Sequence, residues 1–291
     1  MQKEPIAEKT EKNPFVSVVM CNYNYGNFIA EAIRSVLSQT YRHFELIVVD
    51  DGSEDNSKEI ISSFDDQRIQ TVFSKNFGQA SAFNTAFGMA KGELISFLDS
   101  DDWWMPDKLE RSIRWHAFLK GDYALLQHGL EVWRDGGAGP YKNILPVGDC
   151  FAEMQHSGRI DFFVPTSGLV FRKTVLDKVF PLPNEIRICA DAYLMRCAFV
   201  FGKVYSIPDT LGYYRKHKRN NVFKNKNFDV NELLSKIIFP SLNTFYKKNE
   251  INFQFKYSRK KTPLLVRLFL RIIDYCKRCT LRYFKVSNEG P

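Results

Sequence analysis

Apolar runs and helical stripes alternate along the first hundred residues. FVSVVMCN (15–22) is apolar and β-branched until its polar end, the pattern of a strand buried on both faces. GNFIAEAIRSVLSQT (26–40) carries apolar residues at 28, 29, 32, 33, 36 and 37, one face of a helix. FELIVVDD (44–51) predicts a second strand, and Gly52-Ser53 a turn, with Ser53 or Asp55 as the N-cap of a helix reaching about Phe64. RIQTVFS (68–74) reads as a third strand and GQASAFNTAFGMAKG (78–92) as a helix closed by Gly92. ELISFLDSD (93–101) reads as a fourth strand. MPDKLERSIRWHAFLKG (105–121) then predicts a helix with proline near its first turn. Residues 122–165 are less regular, with RDGGAGP (134–140) as a turn or loop. VPTSGLVFRKTVLDKVF (164–180) predicts a strand and a helix, ADAYLMRCAFVFG (190–202) a helix, and KVYSIPDTLGYYRKH (203–217) short strands.

Continuous apolar strands separated by helices predict an α/β fold, a mostly parallel sheet with helices on both faces. Ligands of such sheets gather at the carboxyl ends of the strands. Those ends read Cys21-Asn22-Tyr23-Asn24, Asp50-Asp51-Gly52-Ser53, Ser74-Lys75-Asn76 and Asp99-Ser100-Asp101-Asp102, so the site is expected on one polar, acidic rim. No glycine-rich dinucleotide fingerprint or Walker loop follows the first strand, which removes the usual protein cradle for phosphates. A divalent cation can take that role. If the fourth strand runs through residue 101, Asp99 and Asp101 point to one face while Ser100 and Asp102 point away. Two carboxylates on one face suit Mg²⁺ or Mn²⁺ shared with phosphate oxygens. Asp102 is then a bystander that caps the helix near Pro106.

Composition narrows the picture. With 291 residues, 44% hydrophobic and 14% aromatic, the chain has material for a large core. The first thirteen residues are polar and predict a flexible N-terminus without a signal peptide, and no uncharged run is long enough to span a membrane. Six scattered cysteines predict reduced thiols and a cytoplasmic protein; Cys276 and Cys279 have zinc-pair spacing but no second pair. The net charge of +8 is unevenly placed. Residues 247–291 hold 12 Lys+Arg against 3 Asp+Glu, leaving 29 against 30 in the rest. A neutral body excludes nucleic acid as its partner. In the tail, Arg267, Arg271, Arg278, Arg282 and Lys285 form a narrow stripe beside Leu264, Leu265, Leu268, Phe269, Ile272 and Ile273. That pattern predicts a basic amphipathic helix over 226–291, either in peripheral contact with the cytoplasmic membrane face or packed on the body.

VSVVMCNYNYGNFIAEAIRSVLSQTYRHFELIVVDDGSEDNS, then NFGQASAFNTAFGMAKGELISFLDSDD, and later PTSGLVFRK, ADAYL and GYYRKH, resemble a family-two glycosyltransferase. The likeness is dense over 14–110 and looser from 160 to about 220. It implies a GT-A catalytic domain over 14–225, with a nucleotide-binding half at 14–105 and an acceptor half at 106–225. It further implies an inverting, metal-dependent transfer from a nucleotide-diphosphate sugar, most simply a UDP-sugar, to a saccharide or lipid-linked acceptor in cell-surface polysaccharide or glycolipid synthesis. By the same resemblance, Cys21, Asn22 and Tyr23 line the base pocket, Asp51 accepts hydrogen bonds from the base, and Asp50 supports it. Asn76, Gly78, Gln79 and Asn84 flank the ribose or sugar. Asp99 and Ser100 meet the donor, Asp101 holds the metal with or without Asp99, and Asp191 is the base. Arg215 and His217 either close over the diphosphate or form a solvated basic loop. Relatives often carry two acids where this chain has Ala190-Asp191. Trp104 reads as core; Trp103 is either packing or a stacking surface for the acceptor. Two other readings stay open: a nucleotidyltransferase, and an inactive relative serving as a binding or scaffold subunit.

Overall fold

The computed structural model describes residues 13–134, 137–140, 151–152, 164–217 and 230–255. The first half follows the hydrophobic pattern closely: β1 (Val16–Asn22), α1 (Gly26–Leu37), β2 (Phe44–Asp50), α2 (Ser57–Ser62), β3 (Ile69–Phe73), α3 (Gln79–Met89) and β4 (Leu94–Asp99). These four strands are parallel, in the order β3-β2-β1-β4. Register aligns their ends: Cys21 pairs with Asp99 and Asn22 with Asp50.

Strand alternation builds two cores. Val19, Ile47, Val49, Ile95 and Phe97 face α3 and the helix Ala190–Ala198. Val18, Met20, Leu46, Val48, Leu94 and Leu98 face α1 and α4 (Lys108–Phe118). Helix α1 exists because Ile29, Ala32, Ile33 and Val36 share one buried stripe. Each of its three larger aliphatic side chains contributes about 1.5–3 kcal/mol of transfer free energy.

β4 ends at Asp99, two residues earlier than expected, because the chain turns there and the Asp102 amide donates to the Asp99 carbonyl (3.0 Å). Alternation therefore does not govern Asp101 and Asp102. Residues 122–165 contain more order than their pattern suggested. β6 (Leu125–Arg134) is a ten-residue strand, and β7 (Gly137–Pro140), in the segment expected to be loop, forms a hairpin with it. β8 (Leu169–Arg172) lies antiparallel between β4 and β6, and one long strand, β9 (Val204–Arg215), replaces the expected short ones. β5 (Trp103–Trp104) pairs with the end of β9. The sheet is thus mixed, in the order β3-β2-β1-β4-β8-β6-β9-β5, and strands from both halves of the chain share it.

At the C-terminal end of the described chain, helical turns run from Val230 to Lys248. Phe239, Leu242, Phe245 and Tyr246 are buried against the first core, and the Tyr246 hydroxyl donates to the Arg196 carbonyl (2.7 Å). The basic stripe at 267–285 and the Cys276–Cys279 pair lie outside the described residues. Among the described residues no helix is long and apolar enough to cross a membrane.

Candidate active site

The turn after β4 gathers acids. Asp99, Asp101 and Asp102 each present a carboxylate oxygen, all within 4.8 Å of one another, and Asp101 and Asp102 are buried. Their positions are held from outside. The Ser167 hydroxyl donates to Asp102 Oδ2 (2.6 Å), and the Arg215 amide donates to Asp102 Oδ1 (2.8 Å). Arg215 Nε donates to the Asp101 carbonyl (3.0 Å), while its guanidinium pairs with Glu31. Asp102 is therefore a member of the cluster and not a helix cap: α4 begins at Lys108, and its N-cap position, Asp107, has no side-chain cap. His217 Nε2 lies 3.1 Å from Asp101 Oδ2, its ring against Phe28 (4.3 Å) and edge-on to Tyr25 (5.6 Å).

A cavity of about 340 Å³ opens beside this turn. Cys21, Asn22 and Tyr23 form one wall; Asp51, Asn76, Gly78 and Gln79 another; Asp99, Ser100 and Asp101 the floor toward the acidic turn. Asp191 closes it together with Thr166, Arg187, Ile188 and Cys189. Asn22 Nδ2 donates to Asp50 Oδ2 (2.8 Å) and to the Ser53 hydroxyl (3.1 Å). This fixes the amide and leaves its buried Oδ1 without a protein partner. The Ser100 hydroxyl is likewise buried and unpartnered. Buried polar atoms in such a state call for a partner that the protein does not supply, such as water, an ion or a ligand. Asp51 accepts from the Phe77 and Gly78 amides (2.9 and 2.8 Å), which pins the loop after β3 to the end of β2. Gly78 sits at φ 97°, and a Cβ there would come within 2.6 Å of Arg187 Cα.

Four expected residues stand apart from the cavity lining. Asp50 is fully buried behind Asn22, taking Ser53 N (2.9 Å) and Oγ (2.6 Å), so it shapes the wall without facing the space. Asn84 is occupied with the Leu182 backbone, accepting at 2.7 Å and donating at 2.9 Å, which ties α3 to the segment before Asp191. Arg215 and His217 also lie outside the lining, although His217 meets Tyr25, which is part of it.

Asp191 is in the first turn of the helix Ala190–Ala198, after Cys189 in a left-handed conformation (φ 57°). Burial, with the charge of Asp99 adding, raises its carboxyl from 3.8 to about 6; the Ala192 amide, the Thr166 hydroxyl and Arg196 pull the other way. Burial also pushes the Cys21 thiol well up, with Asp99 and Asp51 adding to the effect.

Sequence reasoning did not find Thr166, Ser167, Glu31 or Arg187 as site residues. Arg187 is the one cation among the described lining residues; its guanidinium grips the Asn76 carbonyl (3.1 Å), Asn76 Oδ1 (2.6 Å) and the Phe77 carbonyl (3.3 Å). None of these four has a local pattern. Long-range pairing brings each one to the rim, as when the Gln79 amide bonds the Arg187 carbonyl (2.9 Å).

A half-parallel, half-mixed sheet with an acidic turn at its carboxyl edge and a buried carboxylate across the cavity is the arrangement of the GT-A fold. The chain matches the family described as Glycosyl transferase family 2 over residues 17–180, more than half its length, and belongs to that family. It is 39% identical over 215 residues to an uncharacterized glycosyltransferase of Nostoc sp. (strain PCC 7120), covering 71% of this chain and 66% of that protein. It is 40% identical over 123 residues to an Escherichia coli protein named UDP-Glc:alpha-D-GlcNAc-diphosphoundecaprenol beta-1,3-glucosyltransferase, covering 40% of this chain and 49% of the relative. These matches thus leave at least a third of each relative unspanned. Among solved structures, Staphylococcus aureus TarS residues 1–349 in complex with UDP-GlcNAc superposes with a TM-score of 0.63 at 18% identity, over 90% of this chain and 73% of that one, a likeness of fold.

Proposed function

We propose that this glycosyltransferase moves a sugar from a nucleotide-diphosphate donor, in the first instance a UDP-sugar, to a hydroxyl of a saccharide or lipid-linked acceptor, with inversion, during cell-surface polysaccharide or glycolipid assembly. The catalytic unit is read as residues 14–225. One observation carries the reading: the acidic turn and Asp191 face one cavity whose walls hold an orphaned Asn22 oxygen and an orphaned Ser100 hydroxyl.

The residues fit a divalent cation. Three converging carboxylates supply hard oxygen donors, and acids this buried are costly to ionise together without a counter-charge. Asp101 and Asp99 would hold the ion, with Asp102 at the back of the turn. Mn²⁺ or Mg²⁺ there supplies charge stabilisation to a departing nucleoside diphosphate. The chain's own groups do the rest. Asn22 Oδ1 accepts a hydrogen bond from the base, and Asp51 can receive another beyond those from Phe77 and Gly78. Tyr23 and the Asn76–Gln79 loop enclose the nucleoside. Asp191, with its carboxyl at about 6, is ionised at neutral pH yet basic enough to take the acceptor hydroxyl's proton. Thr166 and the Ala192 amide orient it.

The test is a panel of nucleotide sugars, each scored for slow hydrolysis and thermal stabilisation of the protein with and without Mn²⁺. One nucleotide class stabilising only with metal supports the reading; stabilisation by none, or equally in chelator, removes it.

A further inference from the structure

The last residues of β6 and β9 run in register, Glu131 opposite Tyr213, Val132 opposite Tyr214 and Trp133 opposite Arg215. Alternation sends Leu130, Val132 and Tyr214 inward, where they form a small buried cluster of their own. The outward face then carries Glu131, Trp133, Tyr213 and Arg215, and β5 adds Trp103 opposite Tyr213. A strand face that only met water would be expected to carry polar residues. This one presents two indoles and a phenol, with Trp133 38% exposed.

The rings are held in place. Trp103 stacks on Tyr213 (4.8 Å, 16° between planes) and meets Trp133 edge-on (5.7 Å, 73°). The Arg215 guanidinium lies over Trp103 at 4.3 Å, and the same Arg215 anchors Asp101 and Asp102. The aromatic face is therefore one side chain away from the acidic turn.

We infer that Trp133, backed by Trp103 and Tyr213, is the stacking surface for a pyranose ring of the acceptor, with Glu131 available to its hydroxyls. This rests on the glycosyl-transfer reading above and names the acceptor class as saccharide. Aromatic faces suit the C–H face of a sugar ring, and a rigid indole loses little conformational freedom on binding. A polyprenyl chain would instead call for a deep aliphatic groove. The outward face has no leucine, isoleucine or valine among Glu131, Trp133, Tyr213, Arg215 and Trp103.

The test uses the full chain with UDP and Mn²⁺ present, and saturation-transfer NMR on the ring protons of cellobiose, maltose and N,N′-diacetylchitobiose. Geranyl phosphate serves as the lipid probe. At least one disaccharide should show saturable transfer, weakened roughly tenfold in Trp133→Ala and largely restored in Trp133→Phe. Thermal stabilisation by UDP and Mn²⁺ should be the same in all three proteins. Silence of every disaccharide, equal transfer in Trp133→Ala, or a Trp133-dependent response to geranyl phosphate alone overturns the inference. If UDP and Mn²⁺ fail to stabilise the wild type, the donor reading has failed instead, and the two failures are separately visible.

Discussion

Replacing Asp191 with asparagine separates catalysis from stability. The carboxyl is raised from 3.8 to about 6 because burial and the Asp99 charge both disfavour its ionised form. The folded protein therefore binds this proton more tightly than the unfolded chain does. Stability contributed by the protonated acid is present below about pH 4 and is lost as pH rises through about 6. At about 1.4 kcal/mol per pH unit, the ionised carboxylate costs about 3 kcal/mol above pH 7, an upper bound for Asp191→Asn because asparagine keeps the shape and can still accept from Thr166 and Ala192. We expect the variant to be about 1–3 kcal/mol more stable than wild type at pH 8, with the gap closing toward pH 4. Transfer activity should fall by several orders of magnitude. Urea unfolding from pH 4 to 8.5 reads the first effect directly. A variant no more stable at pH 8, or a gap that does not change with pH, would refute the claim that Asp191 is held as a buried, partly repelled carboxylate. In the wild type, kcat/KM should decline as pH falls below about 6.

Gly78→Ala should cost about 1–3 kcal/mol, from the positive φ and the clash with Arg187 Cα, and should weaken UDP binding by displacing the loop that Asp51 holds; thermal unfolding and UDP titration check both. Lys108 is fully buried, with Ser96 and the Trp104 ring (3.7 Å) as its partners, and burial lowers its pKa well below the usual value. Lys108→Met should therefore stabilise the fold, increasingly as pH falls below the ordinary lysine range, because the unfolded lysine holds a proton that the folded one resists. Asp50→Ala should destabilise by about 1–3 kcal/mol by unpairing Asn22 and Ser53, without removing the acidic turn, so UDP affinity should fall while the apparent Mn²⁺ affinity changes little.

The sequence was most legible where each element declares itself locally. β1, β2 and β4 are buried on both faces, so their apolar runs mark them, and their polar ends mark the rim. β6 was hidden because its buried stretch carries Gln127 and His128, one on each face. Gln127 is satisfied by Ser206 (3.1 Å) and the Val164 amide (3.3 Å), whereas His128 bonds through Nδ1 to the neighbouring Gly129 carbonyl (2.8 Å) and its buried Nε2 has no partner. A polar residue matched to distant partners, as Gln127 is, breaks the apolar run that a buried strand otherwise shows. The acidic turn illustrates the same limit at the site. Its three carboxylates are visible in DSDD, but the period-two argument paired only Asp99 and Asp101. The reversal after Asp99 and the bonds from Ser167 and Arg215 draw in Asp102, and those two bonds come from residues more than sixty positions away. Arg215, read either as closing over the diphosphate or as part of a solvated basic loop, braces that turn against Glu31, a pairing no local pattern announces.

Titration of UDP into the protein in Mn²⁺ and in chelator, for wild type and Asp101→Asn, tests most directly whether the rim of this sheet was built around a cation shared with a diphosphate. The account predicts at least tenfold tighter binding with Mn²⁺ in the wild type and no such gain in the variant. Equal affinity with and without metal, or an undiminished gain in Asp101→Asn, would contradict it.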